Sequence, residues 1–374
     1  MSCDFLALAN KGVQALQAYQ PGKPVEELQR ELGLSEIVKL ASNENPLGLS
    51  PKVQAAISDE KVLAELTRYP DGAGFELKAK LSDVYQVAPE QITLGNGSND
   101  VLNLIGLSYI NEKTSVVFSE HAFVVYPIMT QFLNARAIQA PAKEFGHDLD
   151  AMLAAIEEDT SVVFIANPNN PTGTWLSHAA LENFLRQVPE SVIVVLDEAY
   201  SEYIEDIGGK YADGLSLLKA FPNLIVTRTF SKAFGLAGLR CGFSLSSPEI
   251  ADVLNRVREP FNVNTLAQIA AMAVLDDKDY LAEGIAVNNQ GRHQIEAALE
   301  SLHLSYIPSQ ANFITFDTGR DAAEIYQQLL ALGVIVRPIA PYGLPQHLRV
   351  SIGLESENAA FIKALHTLRE QGAL

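Results

Sequence analysis

Cysteine is scarce in this 374-residue chain: Cys3 and Cys241 are the only two. That is too few for a disulfide framework or a thiolate metal cluster. The seven histidines form no HExxH pattern, and there is no CxxC pair, so no metal site is expected. No apolar run approaches the roughly 18 residues that a membrane span needs. The opening residues, Met1-Ser2-Cys3-Asp4-Phe5, lack a basic stretch followed by an apolar one, so no secretory leader is expected and the cytoplasm is the expected compartment. Positive charge is also in short supply, with 27 Lys and Arg against 45 Asp and Glu and a net charge of −18. This argues against nucleic acid or an anionic membrane as a partner. It also makes an arginine near a pocket informative, because an acidic protein must hold anions with local charge, the wider field being screened beyond about 8 Å.

The chain is 48% hydrophobic and 19% charged, the balance of a globular protein long enough for two domains. From about residue 75, helical segments alternate with short apolar runs: Gln91–Leu94, Ser115–Phe118, Ser161–Ala166, Ser191–Leu196 and Leu224–Val226. These runs are continuously apolar, the pattern of parallel strands covered by helices on both faces. Helices are expected over Glu26–Leu32, Phe75–Tyr85, Val101–Leu107, Pro248–Val257, about Thr265–Leu302 and Glu357–Gln371. Asn312–Phe316, Val334–Arg337 and Leu348–Gly353 read as strands of a smaller unit. The expected fold is therefore α/β: a large domain with a mostly parallel sheet between helices, plus a small α+β domain. Its expected parts are an N-terminal arm over 1–47 that joins the small domain, a large domain over 48–255 and a small domain over 256–374.

Unusual polar segments follow these apolar runs. Gly95-Asn96-Gly97-Ser98-Asn99 follows the first and precedes a helix, Asn167 to Gly173 follows the third, and Asp197-Glu198-Ala199-Tyr200 follows the fourth. Ligands of such sheets sit at the C-terminal ends of the strands, so these segments are expected to meet in one crevice.

Thr229-Phe230-Ser231-Lys232-Ala233-Phe234-Gly235-Leu236 follows the fifth run, and Arg240 lies eight residues after Lys232. A lysine among Phe230, Phe234 and Leu236 is desolvated, which favours its neutral, nucleophilic form. Thr229, Ser231 and Arg240 are donors suited to a phosphate. An amine beside a phosphate cup is what pyridoxal phosphate requires; the alternative is a solvated loop lysine. Asp197 would pair a pyridinium nitrogen or cap a helix. Tyr200 and Asn170 could hold the ring oxygen, although Asn170 could also be a turn residue before Pro171. Phe123 suits either a stacked ring or the core. Arg337 and Arg349 are fork-shaped donors for an anionic substrate, or exposed strand arginines.

Asn167-Pro168-Asn169-Asn170-Pro171-Thr172-Gly173, Asp197-Glu198-Ala199-Tyr200 and Ser231-Lys232 with Arg240 resemble the fold-type I pyridoxal phosphate aminotransferases. Ala41–Gly48, Arg68-Tyr69-Pro70, Gly238–Gly242 and Leu348–Gly353 narrow the resemblance to the subgroup acting on histidinol phosphate. The resemblance spans essentially the whole chain and implies a seven-stranded type of sheet in the large domain. It implies that Lys232 carries the cofactor as a Schiff base and moves the substrate proton. Asp197 would pair the ring nitrogen, and Tyr200 and Asn170 the ring oxygen. Gly97, Ser98, Asn99, Thr229, Ser231 and Arg240 would cup the phosphate, with Phe123 stacked on the ring. Tyr69 would reach the phosphate of a second subunit's cofactor in a homodimer. Arg349 would grip the substrate anion, with Arg337, Tyr19 and Asn43 also at the substrate.

The implied reaction joins L-histidinol phosphate and 2-oxoglutarate to give imidazole-acetol phosphate and glutamate, a step of histidine biosynthesis. The same cofactor residues would serve an aromatic amino acid aminotransferase. They would also serve a decarboxylase of a phosphorylated amino acid, which would need no keto acid acceptor. A ligand-binding regulator on the same scaffold is disfavoured by the charge of −18.

Overall fold

The structure is a computed structural model and describes residues 3–17, 22–34, 36–205, 208–211 and 213–374. Seven strands form the main sheet: β1 (Ile92–Gly95), β2 (Ser115–Ser119), β3 (Arg136–Ala140), β4 (Thr160–Ala166), β5 (Ile193–Asp197), β6 (Leu224–Thr229) and β7 (Gly242–Leu245). Their order is β1-β7-β6-β5-β4-β2-β3. Strand β7 runs antiparallel to both neighbours, and the other pairs are parallel. Apolar clusters pack on both faces of this sheet, so the continuous apolar runs are buried on two sides as expected.

The sheet has two strands more than the apolar runs announce. The edge strand β3 is exposed along most of its length, so it carries no apolar run. Strand β7 is fully buried but only four residues long, and it opens on Gly242, the last residue of the glycine-rich 238–242 segment. The helix expected from Val101 begins earlier, at Ser98, and ends at Tyr109, which places Ser98 and Asn99 in its first turn.

A second sheet holds β8 (Tyr306–Ile307), β9 (Phe313–Asp317), β10 (Arg337–Pro338) and β11 (His347–Ser351) in the order β8-β9-β11-β10, all antiparallel. The expected strand over 334–337 is split. Val334–Ile335 pairs with Val38–Lys39 from the N-terminal segment, while Arg337 pairs with Arg349. Leu40 enters the core of this second unit.

The long helical stretch is also split, into Thr265–Leu275 and Lys278–Ser301. Asp276 between them pairs with Lys80, and Asp277 accepts from Ser50. The first of these helices buries Ala267, Ala270, Ala271 and Val274 in the core of the large sheet, whereas Ile295 and Leu299 of the second belong to the smaller core. Hydrophobic packing thus passes from the larger core to the smaller one within Lys278–Ser301, whose Tyr280 still belongs to the larger core. No helix among the described residues is long and apolar enough to cross a membrane.

Candidate active site

Strand register builds the site. Asp197, the last residue of β5, lies beside Ala166 of β4 on one side and Thr227 of β6 on the other. Side chains alternate along a strand, so Asp197 and Thr227 share the face that opens on the cleft. Asp197 is buried, and it accepts hydrogen bonds from Tyr126 (2.8 Å to Oδ2) and Thr227 (2.9 Å to Oδ1). Burial pushes its carboxyl above the usual range, and the two hydroxyls pull it back.

Beyond β6 the chain turns through Phe230 and Phe234, both buried and packed at 5.2 Å between ring centroids. The turn is closed by Leu236 N–H donating to the Phe230 carbonyl at 2.9 Å. This anchor holds Lys232 over the sheet end. Its Nζ donates to the Ser42 carbonyl at 3.0 Å and lies 5.8 Å from the Tyr200 ring centroid. Desolvation, then the charges of Arg349 and Arg240, lower the Lys232 amine to about 8 against an opposing pull from Glu44.

The anion cup lies at one end. Ser98, Asn99, Thr229, Ser231 and Arg240 all line the cleft. Arg240 Nη1 donates to Ser231 Oγ at 3.3 Å, and Ser231 N–H donates to Thr229 Oγ1 at 3.1 Å. Gly97 caps the helix Ser98–Tyr109 at φ +85°, and a Cβ there would fall 2.5 Å from Arg240 Nη2. Gly242 passes beneath: a Cβ on it would meet the Ser98 backbone nitrogen at 2.3 Å. Free helix amides and a guanidinium around a space without side-chain bulk suit a phosphate.

At the other end, Arg349 on β11 is buried over the Phe313 ring at 5.1 Å. Its Nη1 donates to Asn170 Oδ1 at 2.6 Å and its Nη2 to the Ala41 carbonyl at 3.0 Å. The Asn170 amide in turn donates to the Tyr200 hydroxyl at 3.3 Å, as Asn43 does at 3.0 Å. Asn43 is buried and also accepts from Ser351 Oγ at 2.9 Å. Burial pushes the Tyr200 phenol up to about 12, with Arg349 and Asn43 opposing. Arg337, Phe123 and Asn43 also line the cleft.

One cleft thus gathers the expected residues from the strand ends, the second sheet and the N-terminal segment. Tyr69 lies elsewhere: it is 81% exposed and stacked on Phe261 at 4.5 Å. Tyr19 lies outside the described residues. Two participants carried no sequence signal. Tyr126 sits in an apolar helix and meets Asp197 across 71 positions, and Tyr342 enters the cleft from a short turn of the second unit.

The cleft residues can be set beside known proteins. Residues 35–365 match the family described as aminotransferase class I and II. Histidinol-phosphate aminotransferase 2 of Pseudomonas fluorescens is 60% identical over 367 residues, covering 98% of each chain. Histidinol-phosphate aminotransferase 1 of Idiomarina loihiensis is 53% identical over 97% of this chain and 98% of its own. Among solved structures, histidinol-phosphate aminotransferase from Sinorhizobium meliloti in complex with pyridoxal-5'-phosphate superposes with a TM-score of 0.87 at 30% identity, covering 96% of this chain and 97% of that one. Aspartate aminotransferase from Thermus thermophilus shares the fold, with a TM-score of 0.82 at 21% identity over 95% and 99% of the two chains. With the strand-end lysine, the buried aspartate and the anion cup in place, and with a match over most of its length, the chain belongs to the class I and II aminotransferases.

Proposed function

We propose that the cleft transfers the amino group of L-histidinol phosphate to 2-oxoglutarate, giving imidazole-acetol phosphate and glutamate in histidine biosynthesis. The protein is a pyridoxal phosphate-dependent aminotransferase. The observation that carries the substrate reading is the pair of cationic poles, Arg240 at one end and Arg349 with Arg337 at the other, with the Lys232 amine in electrostatic reach of both Arg240 and Arg349. The near full-length similarity to the Pseudomonas fluorescens enzyme supports it.

The residues present fit the cofactor. The Gly97 cradle and its donors suit the phosphate, Asp197 the ring nitrogen, and Tyr200 with Asn170 the ring oxygen; Phe123 suits one face of the ring. When bound, pyridoxal phosphate supplies an electron sink for charge at the substrate Cα. Lys232, neutral above about pH 8, takes the Cα proton in the first half-reaction and returns one in the second. Arg349 and Arg337 hold in turn the phosphate of histidinol phosphate and a carboxylate of 2-oxoglutarate, so one site serves both partners in ping-pong order. Asn43, tied to Tyr200 and Ser351, fixes the substrate end of the cleft.

The exposed Tyr69–Phe261 stack is read as a contact to a second copy, with Tyr69 serving that copy's cofactor phosphate. A monomer by sedimentation would overturn this. Two unpaired cysteines, Cys3 and Cys241, suit a reducing compartment and support the cytoplasm.

The test is a single half-reaction. The loaded protein is mixed with L-histidinol phosphate or with L-phenylalanine, without acceptor, and the cofactor's visible absorbance is followed. Rapid bleaching with histidinol phosphate and slow bleaching with phenylalanine are expected, and the reverse order would make it an aromatic amino acid aminotransferase. Full turnover by Lys232→Ala would sink the reading altogether.

A further inference from the structure

Tyr126 has no part in the roles above, yet its placement is specific. It lies in the first turn of the helix Val125–Phe132 and is fully buried. Its ring stacks on Phe164 at 4.6 Å, nearly parallel at 9°, and meets Phe123 edge-on at 5.7 Å. A phenol among phenylalanine rings is costly to bury unless its hydroxyl has a partner. That partner is Asp197 Oδ2 at 2.8 Å, while Thr227 holds Oδ1 at 2.9 Å. Burial and Asp197 hold the Tyr126 phenol well above its ordinary range, so it remains a donor. Both donors are neutral: they lower the carboxylate's affinity for a proton without cancelling its charge.

We propose that Tyr126, with Thr227, is a positioning residue for Asp197, holding the carboxylate oriented and ionised so that the shared proton stays on the cofactor's ring nitrogen. This rests on the reading that Asp197 faces that nitrogen. Without the tyrosine hydroxyl, Asp197 gains proton affinity and the proton shifts from the nitrogen toward the carboxylate oxygen.

The experiment uses holoenzyme loaded with pyridoxal phosphate isotopically labelled at the ring nitrogen, whose NMR shift separates the protonated from the neutral ring. Wild type is expected to show the protonated ring and Asp197→Asn the neutral one. Tyr126→Phe is expected to move the signal from the protonated toward the neutral position. It should also lower kcat for histidinol phosphate by roughly ten-fold or more, the worth of a hydrogen bond to a charged group, with KM little changed. Thr227→Val should move the signal the same way and Thr227→Ser should restore it, which decides the question even if Tyr126→Phe does not fold. If Tyr126→Phe and Thr227→Val keep the wild-type signal and lose only thermal stability, the role is packing and the inference is wrong. If wild type shows a neutral ring, or Asp197→Asn leaves the signal unchanged, the placement of Asp197 fails and the inference with it.

Discussion

Asp197 and Glu198 are consecutive, both buried, and treated in opposite ways. Asp197 faces the cleft and receives two neutral hydroxyls. Glu198 faces the other side of the sheet, where Arg228 Nη2 donates to it at 2.7 Å and the Gly214 amide at 2.6 Å. Arg228 also reaches Asp213 at 3.0 Å and Glu202 at 3.3 Å; burial opposes its charge, but Glu198, Glu202 and Asp213 together hold the guanidinium protonated. Strand alternation produces the contrast, since Thr227 and Arg228 are also consecutive and point to opposite faces. Burial pushes the Glu198 carboxyl up to about 7, with Arg228 opposing, and a carboxylate that meets a cation inside the protein is structural. One that is held by neutral donors keeps its charge for a cationic ligand, and the pyridinium of pyridoxal phosphate answers that description.

The contrast can be broken most sharply by exchanging each acid for its amide. Asp197→Asn should cost about 10³-fold in kcat, the upper end for a lost electrostatic stabiliser, while the apoprotein melts no lower than wild type, because an unmatched buried charge has been removed. A coequal loss of melting temperature would show that Asp197 is structural after all. Glu198→Gln should do the reverse. Breaking the buried pair should cost about 2 kcal/mol of stability, at the low side because Asp213 and Glu202 still flank Arg228. Turnover per folded molecule should stay within about two-fold, and a large loss of kcat without loss of stability would erase the distinction. The smallest effect concerns Lys232. Its amine is lowered to about 8, so the neutral form that captures an aldehyde grows as pH rises toward and through 8. Apoprotein should take up pyridoxal phosphate roughly five-fold faster at pH 8 than at pH 7, since the neutral fraction rises from about a tenth to about a half over that interval. A flat uptake rate over that interval would mean that burial does not tune this amine.

Much of the site could be read from sequence because the chemistry sits where apolar runs stop. Strands β1, β2, β4, β5 and β6 announce themselves by continuous burial; Asp197 ends β5, and Asn170 and Lys232 follow β4 and β6. What was hidden depends on partners far apart in the chain. Strand β3 is an exposed edge without an apolar run, and β7 is four residues long and opens on Gly242 of the glycine-rich segment. Tyr126 looks like one more aromatic in a helix until the sheet brings Asp197 to it. Asn43 lies in a polar loop, and only the folded chain places Tyr200 and Ser351 against it. Helix Thr265–Leu275 is apolar in a way that sequence alone does not assign to either core.

The pinch of Gly97 and Gly242 around Arg240 and the Ser98 amide has a consequence for descent. The anion cup is bounded by hydrogen atoms where every other residue type has a carbon. One base change in a glycine codon is enough to place a methyl there, and the guanidinium or the helix end must then give way. A gene copy released from selection for amino transfer would no longer be purged of such changes, and either one spoils the cup while the sheet, the strand-end lysine and the buried aspartate still stand. Among duplicated descendants of this chain, a side chain at position 97 or 242 would mark a scaffold that has begun to serve another purpose.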